Sequence, residues 1–229
     1  KLLLDSNVEV NALSVVNDYS VQFPEEIYES HKLLGLNYMQ FIPCLKNDGN
    51  DNELTTSFSI SPKKYGEFLC KLFDLWQADF VAGSPTTSIR YFDSVLYIYA
   101  GLHSSECTFQ QYCGDYLVVE HNGDVFSCDF YVEPKWKLGN IMHDNLFDLL
   151  NSKRQNEFGR MKAMIPNICK QCKWLKFCRG GCMKDRLRVN SSEGMNYYCE
   201  SYKMFFEYAD IRLQKLTTQL MSLRTKSYK

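Results

Sequence analysis

The 229-residue sequence lacks several features that define common protein classes. It has no apolar run approaching the roughly 20 residues that a membrane-spanning helix needs. Residues 1–11 lack the basic region, apolar stretch and small-residue cleavage site of a signal peptide. A formal net charge of −1 provides no basic surface for nucleic acid or for an anionic membrane. We therefore expect a cytoplasmic protein with no nucleic-acid partner and no membrane partner.

Motifs of several enzyme classes are also missing. The sequence contains no phosphate-cradling glycine loop, no nucleophile elbow, no internal repeat and no low-complexity tract. The four histidines stand apart from any catalytic pairing and are most simply surface residues or hydrogen-bonded core residues: His31, His103, His121 and His143. An apolar content of 45% is nevertheless enough for a globular protein with one sizeable core or two small ones.

The first part of the sequence has the pattern of a parallel β-α-β unit. Val8–Val16 predicts a strand, Pro24–Leu34 predicts a helix closed by Gly35, and Asn37–Ile42 predicts a second strand. One such unit cannot cover both faces of its own sheet, so we interpret it as the last piece of a larger α/β sheet or barrel. Since the chain starts at a lysine just before this pattern, we also expect that a further segment precedes it.

Polar and helical segments follow the second strand. Asn47–Glu53 predicts a loop at the carboxyl end of that strand, where α/β folds bind ligands. Ser61 and Pro62 predict the start of a helix. The apolar face of this helix is predicted to pack in the core: Tyr65, Phe68, Leu69, Leu72, Phe73 and Trp76. A further helix is predicted from Ser88 to about Ala100.

The pattern changes to β-structure from Asp115 to Cys128. Two β-rich runs are joined through Asn122-Gly123, a strong hairpin signal. Helical patterns surround the later cysteines. The sequence ends in an amphipathic helix with one apolar stripe: Phe205, Ala209, Leu213, Leu216, Leu220 and Leu223.

Ten cysteines in a chain without secretory features indicate metal binding or catalysis, because the cytosol keeps thiols reduced. Cys44 and Cys70 stand alone and are predicted to be buried thiols. The other eight have the spacings C-x5-C-x14-C and C-x2-C-x5-C-x3-C-x16-C, and they make two complete sets of four. Thiolates two residues apart can reach the same metal, which is why this spacing recurs in zinc and iron-sulfur sites.

The spacing alone does not separate zinc from an iron-sulfur cluster. Gly180 and Gly181 allow the backbone to approach a bulky inorganic core closely. Basic residues around the cysteines could offset the charge of thiolate-bound iron: Lys170, Lys173, Lys176, Arg179, Lys184 and Arg186. Such residues also surround zinc ribbons, so both metals stay open at this point.

Three segments give the sequence a resemblance to a known family: CGDYLVVEHNGDVFSCDF, KLGNI and CKQCKWLKFCRGGCMKDR. They resemble the C-terminal SPASM-type region of the anaerobic sulfatase-maturating enzymes, which are radical S-adenosylmethionine enzymes. VEVNALSVVN and LGLNYMQFIPC look like late strands of the barrel of that family. The resemblance covers residues 8–202.

The resemblance implies an α/β plus α+β fold, in which the last βα units of a partial radical-SAM (β/α) barrel precede a SPASM-type β-hairpin and a helical cysteine-rich domain. The implied domains are 1–100 for the barrel part with the following helices, 101–203 for the SPASM domain and 204–229 for the final helix. It also implies two auxiliary [4Fe-4S] clusters, one held by Cys107, Cys113, Cys128 and Cys182, the other by Cys169, Cys172, Cys178 and Cys199.

Enzymes of this family oxidise a cysteine or serine side chain of a sulfatase to formylglycine. By the resemblance, Asp129 is the base that takes the thiol or hydroxyl proton, and Leu45 lies near the nucleoside of S-adenosylmethionine. The implied partners are a sulfatase polypeptide with a Cys/Ser-x-Pro-x-Arg motif and a reducing electron donor.

One defining feature of the family is absent. No combination of the ten cysteines gives the spacing C-x3-C-x2-C, which holds the third [4Fe-4S] cluster that binds and cleaves S-adenosylmethionine. We therefore expect the chain to be a fragment of a longer oxidoreductase that is inactive alone. Two alternatives stay open: a SPASM maturase that modifies another peptide, and a non-catalytic interaction module with two four-cysteine zinc sites.

Overall fold

A computed structural model describes residues 1–45, 58–186 and 194–227, with side chains up to residue 222. The contacts divide the chain into two compact units: residues 1–106 together with 197–229, and residues 107–196. The loop predicted over Asn47–Glu53 lies outside the described residues.

The first unit begins with a short helix that the sequence did not predict, α1 (Leu2–Asp5). Asn7 then takes a left-handed backbone conformation, with φ of 55°. Because of this turn, the first strand, β1 (Asn11–Val16), starts three residues later than the predicted Val8.

A β-α-β unit follows as predicted. Helix α2 (Pro24–Leu33) leads to strand β2 (Tyr38–Pro43), which pairs with β1 in parallel. Gly35, with φ of 76°, ends the helix, and the amide of Leu36 donates to the carbonyl of His31 in a Schellman-type cap. The prediction for this segment is therefore confirmed, apart from the later start of β1 and shifts of one residue at the ends of α2 and β2.

Helix α3 (Pro62–Ala78) begins where the sequence indicates. The Ser61 side chain accepts a hydrogen bond from the amide of Lys64, and Pro62 occupies the first turn. All six residues of the predicted apolar face are buried, which confirms that this face packs in the core.

Three very short strands follow α3, none of them predicted. Strands β3 (Phe80–Val81) and β4 (Ser84–Pro85) form a hairpin whose turn residues, Ala82 and Gly83, both have positive φ. Strand β5 (Ser88–Ile89) pairs in parallel with β2 and extends the first sheet to the order β1-β2-β5. Helix α4 (Arg90–Tyr99) therefore begins two residues after the predicted Ser88.

The second unit contains a three-stranded antiparallel sheet of β6 (Val118–Val119), β7 (Asp124–Phe126) and β8 (Lys137–Asn140). The predicted hairpin is confirmed as the pair β6-β7. Its turn is wider than a two-residue Asn-Gly turn, because the amide of Gly123 donates to the carbonyl of Glu120.

Four helices of the second unit are α5 (Leu146–Leu150), α6 (Lys153–Met161), α7 (Asn167–Lys170) and α8 (Leu175–Cys178). The last two are single turns, and cysteines lie in or beside them. The core cluster of this unit consists of Cys128, Tyr131, Trp136, Phe158 and Met183.

The last helix, α9 (Cys199–Ser227), returns to the first unit and packs along α3. It starts five residues before the predicted 204. Four residues of the predicted stripe are buried, namely Phe205, Ala209, Leu213 and Leu216, whereas Leu220 is partly exposed. The side chain of Leu223 lies outside the described residues.

The fold thus mixes helices and strands, with three parallel strands in one unit and three antiparallel strands in the other. The interpretation of the parallel strands as part of a larger barrel remains a prediction. In the parts of the chain that the structure describes, no helix is both long enough and apolar enough to cross a bilayer.

Candidate functional site

All ten cysteines lie within the described residues, and none is joined to another by a disulfide. Cys44 and Cys70 are only partly buried, so the prediction that both are buried thiols was wrong. Cys70 lies at the edge of the apolar face of α3, within electrostatic range of Asp74 and Arg212. Its partial burial still raises the pKa of the thiol to about 11.

The first predicted ligand set comes from four separate loops or turns of the second unit. Cys107 opens a 3-10 helix, Cys113 lies in the loop after it, Cys128 follows β7, and Cys182 precedes another 3-10 helix. The Cys113 amide donates to the carbonyl of Gly159 in α6 at 3.1 Å, which fixes the Cys113 loop against that helix.

These four thiols share one neighbourhood. A charge on Cys107 acts on the thiols of Cys113 and Cys182. The hydroxyl of Tyr116 lies 3.5 Å from Cys128 Sγ and also lies within electrostatic range of Cys107. The fold therefore brings together cysteines that are up to 75 positions apart, from 107 to 182.

Burial makes these thiols poor acids. It raises the pKa of Cys113 and of Cys128 to about 11, and that of Cys182 to about 12. They would therefore stay protonated at neutral pH, whereas a bound metal deprotonates a coordinating thiol. Soft sulfur donors of this kind are the ligands that iron-sulfur clusters and zinc prefer.

A buried lysine lies beside this thiol group. Lys162, directly after α6, is 1% exposed, and its Nζ donates to the carbonyls of Cys107 and Thr108 at 2.5 and 2.7 Å. Burial lowers the pKa of this ammonium, while negative charge on Cys113, Cys107 or Cys182 acts in the opposite direction. An anionic group held by these cysteines therefore fits the charge of the site.

Arg186 is a second buried cation in the same unit. Its guanidinium donates to the carbonyls of Lys162, Met164 and Gly180 at 2.8, 2.9 and 3.3 Å. The neighbouring carboxylate of Asp185 is already paired with Lys184 at 2.7 Å. Of the six basic residues that the sequence highlights, Arg186 is the one that is buried.

Sequence reasoning missed Lys162, although a signal for it exists. Gln155, Phe158 and Gly159 form the buried face of α6, and Lys162 continues that face by helical spacing. A lysine on the apolar face of a helix needs a partner for its charge, and this could have marked it for attention.

The second predicted ligand set lies on the short helices. Cys169 is in α7, Cys172 follows it, and Cys178 ends α8. Arg179, Gly180 and Gly181 then take left-handed conformations in succession, so the two glycines are required by the backbone itself. Cys199 opens α9, which belongs to the other compact unit, and its membership of this set stays a prediction.

Within residues 1–45, 58–186 and 194–227, no three histidine, cysteine, aspartate or glutamate side chains converge closely enough to hold a single metal ion. The predicted ligand sets are of a different kind, because a four-iron cluster binds one thiolate at each iron and so needs a wider spacing of sulfurs.

Asp129 lies beside the first ligand set and is exposed to solvent. Its Oδ1 accepts a hydrogen bond from the Tyr116 hydroxyl at 3.2 Å and lies 3.2 Å from Cys128 Sγ. A solvent-exposed carboxylate therefore lies next to a buried sulfur. Leu45, two residues after β2 in the first unit, is partly buried.

Comparison with known proteins agrees with the sequence resemblance. Residues 107–173 match the SPASM family, described as an iron-sulfur cluster-binding domain. The serine-type anaerobic sulfatase-maturating enzyme of Bacteroides thetaiotaomicron is 35% identical over 96% of this chain and 56% of its own length. The cysteine-type enzyme of Clostridium perfringens is 39% identical over 90% of this chain and 55% of its own length.

Solved structures give the same result. The native anSMEcpe with bound AdoMet matches with a TM-score of 0.85 and 38% identity, over 95% of this chain and 59% of that one. The same protein with bound AdoMet and the Cp18Cys peptide matches with a TM-score of 0.85 and 37% identity, over 96% and 60%. The chain is homologous to a C-terminal portion of the anaerobic sulfatase-maturating enzymes.

The matches cover only part of the relatives and only some of the predicted site residues. The chain spans about half the length of the curated relatives that it matches. The SPASM match includes Asp129 and five of the eight predicted ligands, and it ends before Cys178, Cys182 and Cys199. The roles of these residues in this chain are therefore proposals.

Proposed function

We propose that this chain is the auxiliary-cluster and substrate-binding portion of a radical S-adenosylmethionine oxidoreductase that converts a sulfatase cysteine or serine to formylglycine. The observation that carries the proposal is the pairing of an exposed carboxylate, Asp129, with the adjoining buried sulfur of Cys128. This arrangement provides a proton acceptor open to a peptide, next to a route for an electron. The homology to sulfatase-maturating enzymes supports the substrate class.

The cofactors follow from the two ligand sets. One [4Fe-4S] cluster would be held by Cys107, Cys113, Cys128 and Cys182, and a second by Cys169, Cys172, Cys178 and Cys199. When bound, these clusters supply electron acceptors, while S-adenosylmethionine and a third cluster elsewhere in a longer protein supply the 5′-deoxyadenosyl radical. Leu45 is proposed to lie near the nucleoside.

The residues of this chain bind the peptide and receive the proton. The target side chain loses a hydrogen atom from its carbon, a proton from its hydroxyl or thiol to Asp129, and one electron. Together these make a two-electron oxidation. Serine gives the aldehyde directly, whereas cysteine gives a thioaldehyde that water hydrolyses with loss of hydrogen sulfide. The Tyr116 hydroxyl holds Asp129 in place for the proton transfer.

The test is replacement of Asp129 by asparagine in the longer protein that contains this chain. The substrate is a peptide with the Cys/Ser-x-Pro-x-Arg motif, and formylglycine is measured by mass spectrometry. Loss of a general base predicts turnover reduced by about 10²-fold or more, with iron content unchanged. Asp148→Asn is the matched control, because Asp148 is an exposed aspartate in α5 of the same unit.

Three outcomes would contradict the proposal. Full turnover by the Asp129→Asn variant would show that Asp129 is not the base. Equal modification of peptides with and without the proline and arginine would favour a SPASM maturase of another peptide. A colourless protein that binds about two zinc ions and no iron would favour an interaction module. Parallel reactions with a cysteine peptide and a serine peptide would establish which residue is preferred.

A further inference from the structure

Lys162 is a buried cation whose hydrogen-bond partners, within the described residues, carry no charge. Its Nζ donates to two backbone carbonyls, those of Cys107 and Thr108. These contacts tie the end of α6 to the turn that presents Cys107. Carbonyl oxygens satisfy the donors of an ammonium group without neutralising it, so the positive charge needs an anion close by.

Arg186 adds a second positive charge to the same place. It donates to the carbonyl of Lys162 and is 8% exposed. In the described part of the chain, no carboxylate pairs with either cation, since Asp185 is paired with Lys184. Among the residues that the structure describes, the two buried charges therefore have no carboxylate to balance them.

The neighbours that can balance these charges are thiols. Groups within electrostatic range of the Lys162 ammonium include Arg186 and the thiols of Cys113, Cys107 and Cys182. All three belong to the first predicted ligand set. As iron-bound thiolates they would form an anionic group next to the two cations, because the oxidised [4Fe-4S] core with four thiolates is a dianion.

We propose that Lys162 is a positioning residue for the auxiliary cluster of Cys107, Cys113, Cys128 and Cys182. It holds the Cys107 turn in place, and its fixed positive charge raises the reduction potential of that cluster. This inference rests on the first ligand set proposed above. It does not depend on what the enzyme modifies.

The effect on the potential follows from charge. Reduction adds one electron to a group that is already negative, and a cation held at close range in a buried site stabilises the reduced form more than the oxidised form. Solvent screens this interaction weakly, because Lys162 is 1% exposed. A cluster beside Lys162 is therefore a better acceptor for the electron that leaves the substrate.

The experiment uses this chain with Cys172→Ala, so that the first set alone can hold a complete cluster. Lys162→Met removes the charge and the donors, Lys162→Gln keeps a donor without charge, and Lys162→Arg keeps the charge. Lys153→Met is the control, because Lys153 is an exposed lysine of α6. After anaerobic reconstitution, iron content is measured, and the potential is measured by dithionite titration followed by electron paramagnetic resonance.

The expected result is that the two neutral variants bind an electron about tenfold more weakly, a shift of about −59 mV for a one-electron couple. Lys162→Arg and Lys153→Met should keep the original potential. If the neutral variants lose iron while Lys162→Arg keeps it, the charge is required, which also supports the proposal. Neutral variants with iron and an unchanged potential would overturn it, as would loss of iron from all three Lys162 variants.

A further variant separates this proposal from the ligand assignment. Cys113→Ala in the Cys172→Ala chain should remove the remaining iron. Retention of that iron would show that the first ligand set is wrong, and the role of Lys162 would fail with it. Formylglycine is not measured in any of these samples, so failure of the proposed enzymatic function would leave the result unaffected.

Discussion

The interior of each compact unit is stabilised by a different kind of interaction. In the first unit, the ring of Phe73 lies 5.4–5.8 Å from the rings of Trp76, Phe92 and Phe205, and all four residues are completely buried. The second unit buries fewer large apolar side chains, and it also buries the charged residues Lys162, Asp185 and Arg186. Apolar packing is enough to explain the first unit, whereas the second has charges that packing alone does not satisfy.

The lengths of the helices show the same contrast. Helix α3 has 17 residues and packs along α9, while α7 and α8 have four residues each. A single helical turn is not stable by itself, because its nucleation is costly and few hydrogen bonds repay it. Cysteines lie in or next to both short helices. We infer that bound clusters complete the fold of the second unit.

The largest expected effect comes from removal of iron. In the chain freed of iron by a chelator, backbone amides of α7, α8 and β7 should lose protection against hydrogen exchange, while those of α3 keep it. Metal binding can contribute on the order of 10 kcal/mol to the folding of a small cysteine-rich site, which exceeds what the small core can replace. Exchange measured by mass spectrometry on reconstituted and iron-free chains checks this prediction. Equal protection of both units in the iron-free chain would contradict the prediction that only the second unit depends on clusters.

A second prediction compares one helical glycine from each unit. A Cβ at Gly159 would clash with the backbone carbonyl of Cys113, whereas a Cβ at Gly66 would meet the Met204 sulfur at 2.8 Å and the Cα of Ser201 at 3.1 Å. Gly159→Ala should therefore displace Cys113 and lower the iron content by about half. Gly66→Ala should lower the free energy of unfolding by about 1–3 kcal/mol and leave the iron content unchanged.

Iron analysis and urea denaturation of both variants test this pair. Each variant serves as the control for the other, since both introduce one methyl group into a helix. Iron loss from Gly66→Ala, or full iron in Gly159→Ala, would show that the two units do not respond separately.

The same contrast explains how much the sequence could predict. The β-α-β unit and α3 were predicted because apolar periodicity, Pro24, Gly35 and Ser61 all mark them. The short strands β3, β4 and β5 were missed because two residues are too few to show a pattern. The hairpin β3-β4 also turns at Ala82-Gly83, and alanine is not a usual residue for positive φ.

In the second unit, the sequence named eight candidate ligands, which remain a prediction, but only part of the secondary structure. Cysteine spacing and the resemblance gave two sets of four, and the structure brings the first set into one neighbourhood. Strand β8 was missed, because KLGN has no alternating pattern and is held by contacts such as the ion pair of Lys137 with Asp124 at 2.6 Å. Lys162 was missed because its role depends on a contact with Cys107, which lies 55 positions away.

A third prediction concerns pH and the first unit alone. Burial raises the pKa of Asp93 to about 6, although a hydrogen bond from Ser88 acts against this rise. Because the folded state favours the protonated acid, stability from Asp93 is full below about pH 4 and is lost as the pH rises through about 6. Asp93→Asn should remove this dependence and stabilise the unit at neutral pH by on the order of 1–3 kcal/mol.

Urea denaturation of the iron-free chain, followed by circular dichroism, measures this effect at about pH 4 and about pH 7. The control is Asp5→Asn, because Asp5 is exposed. A stability difference between wild type and Asp93→Asn that is the same at both pH values would contradict the prediction.

The smallest expected effect concerns the Tyr116 hydroxyl, which lies 3.2 Å from Asp129 Oδ1. Tyr116→Phe removes one hydrogen bond and leaves the ring in place. If Asp129 is the base, its loss of orientation should slow formylglycine formation in the longer protein by about three- to tenfold, with iron content unchanged. Tyr112→Phe is the control, since Tyr112 is also partly exposed and its hydroxyl accepts only a weak bond from Gln111 at 3.4 Å.

The measurement is turnover at saturating peptide, with 5′-deoxyadenosine counted in the same samples. Slower formylglycine formation with normal 5′-deoxyadenosine formation places the defect after radical formation, where Asp129 acts. An equal loss of iron and turnover would instead mean that Tyr116 supports the cluster through Cys128, whose Sγ is 3.5 Å from the same hydroxyl. Tyr116 would then be a residue that supports the cluster, in the unit whose fold is expected to depend on clusters.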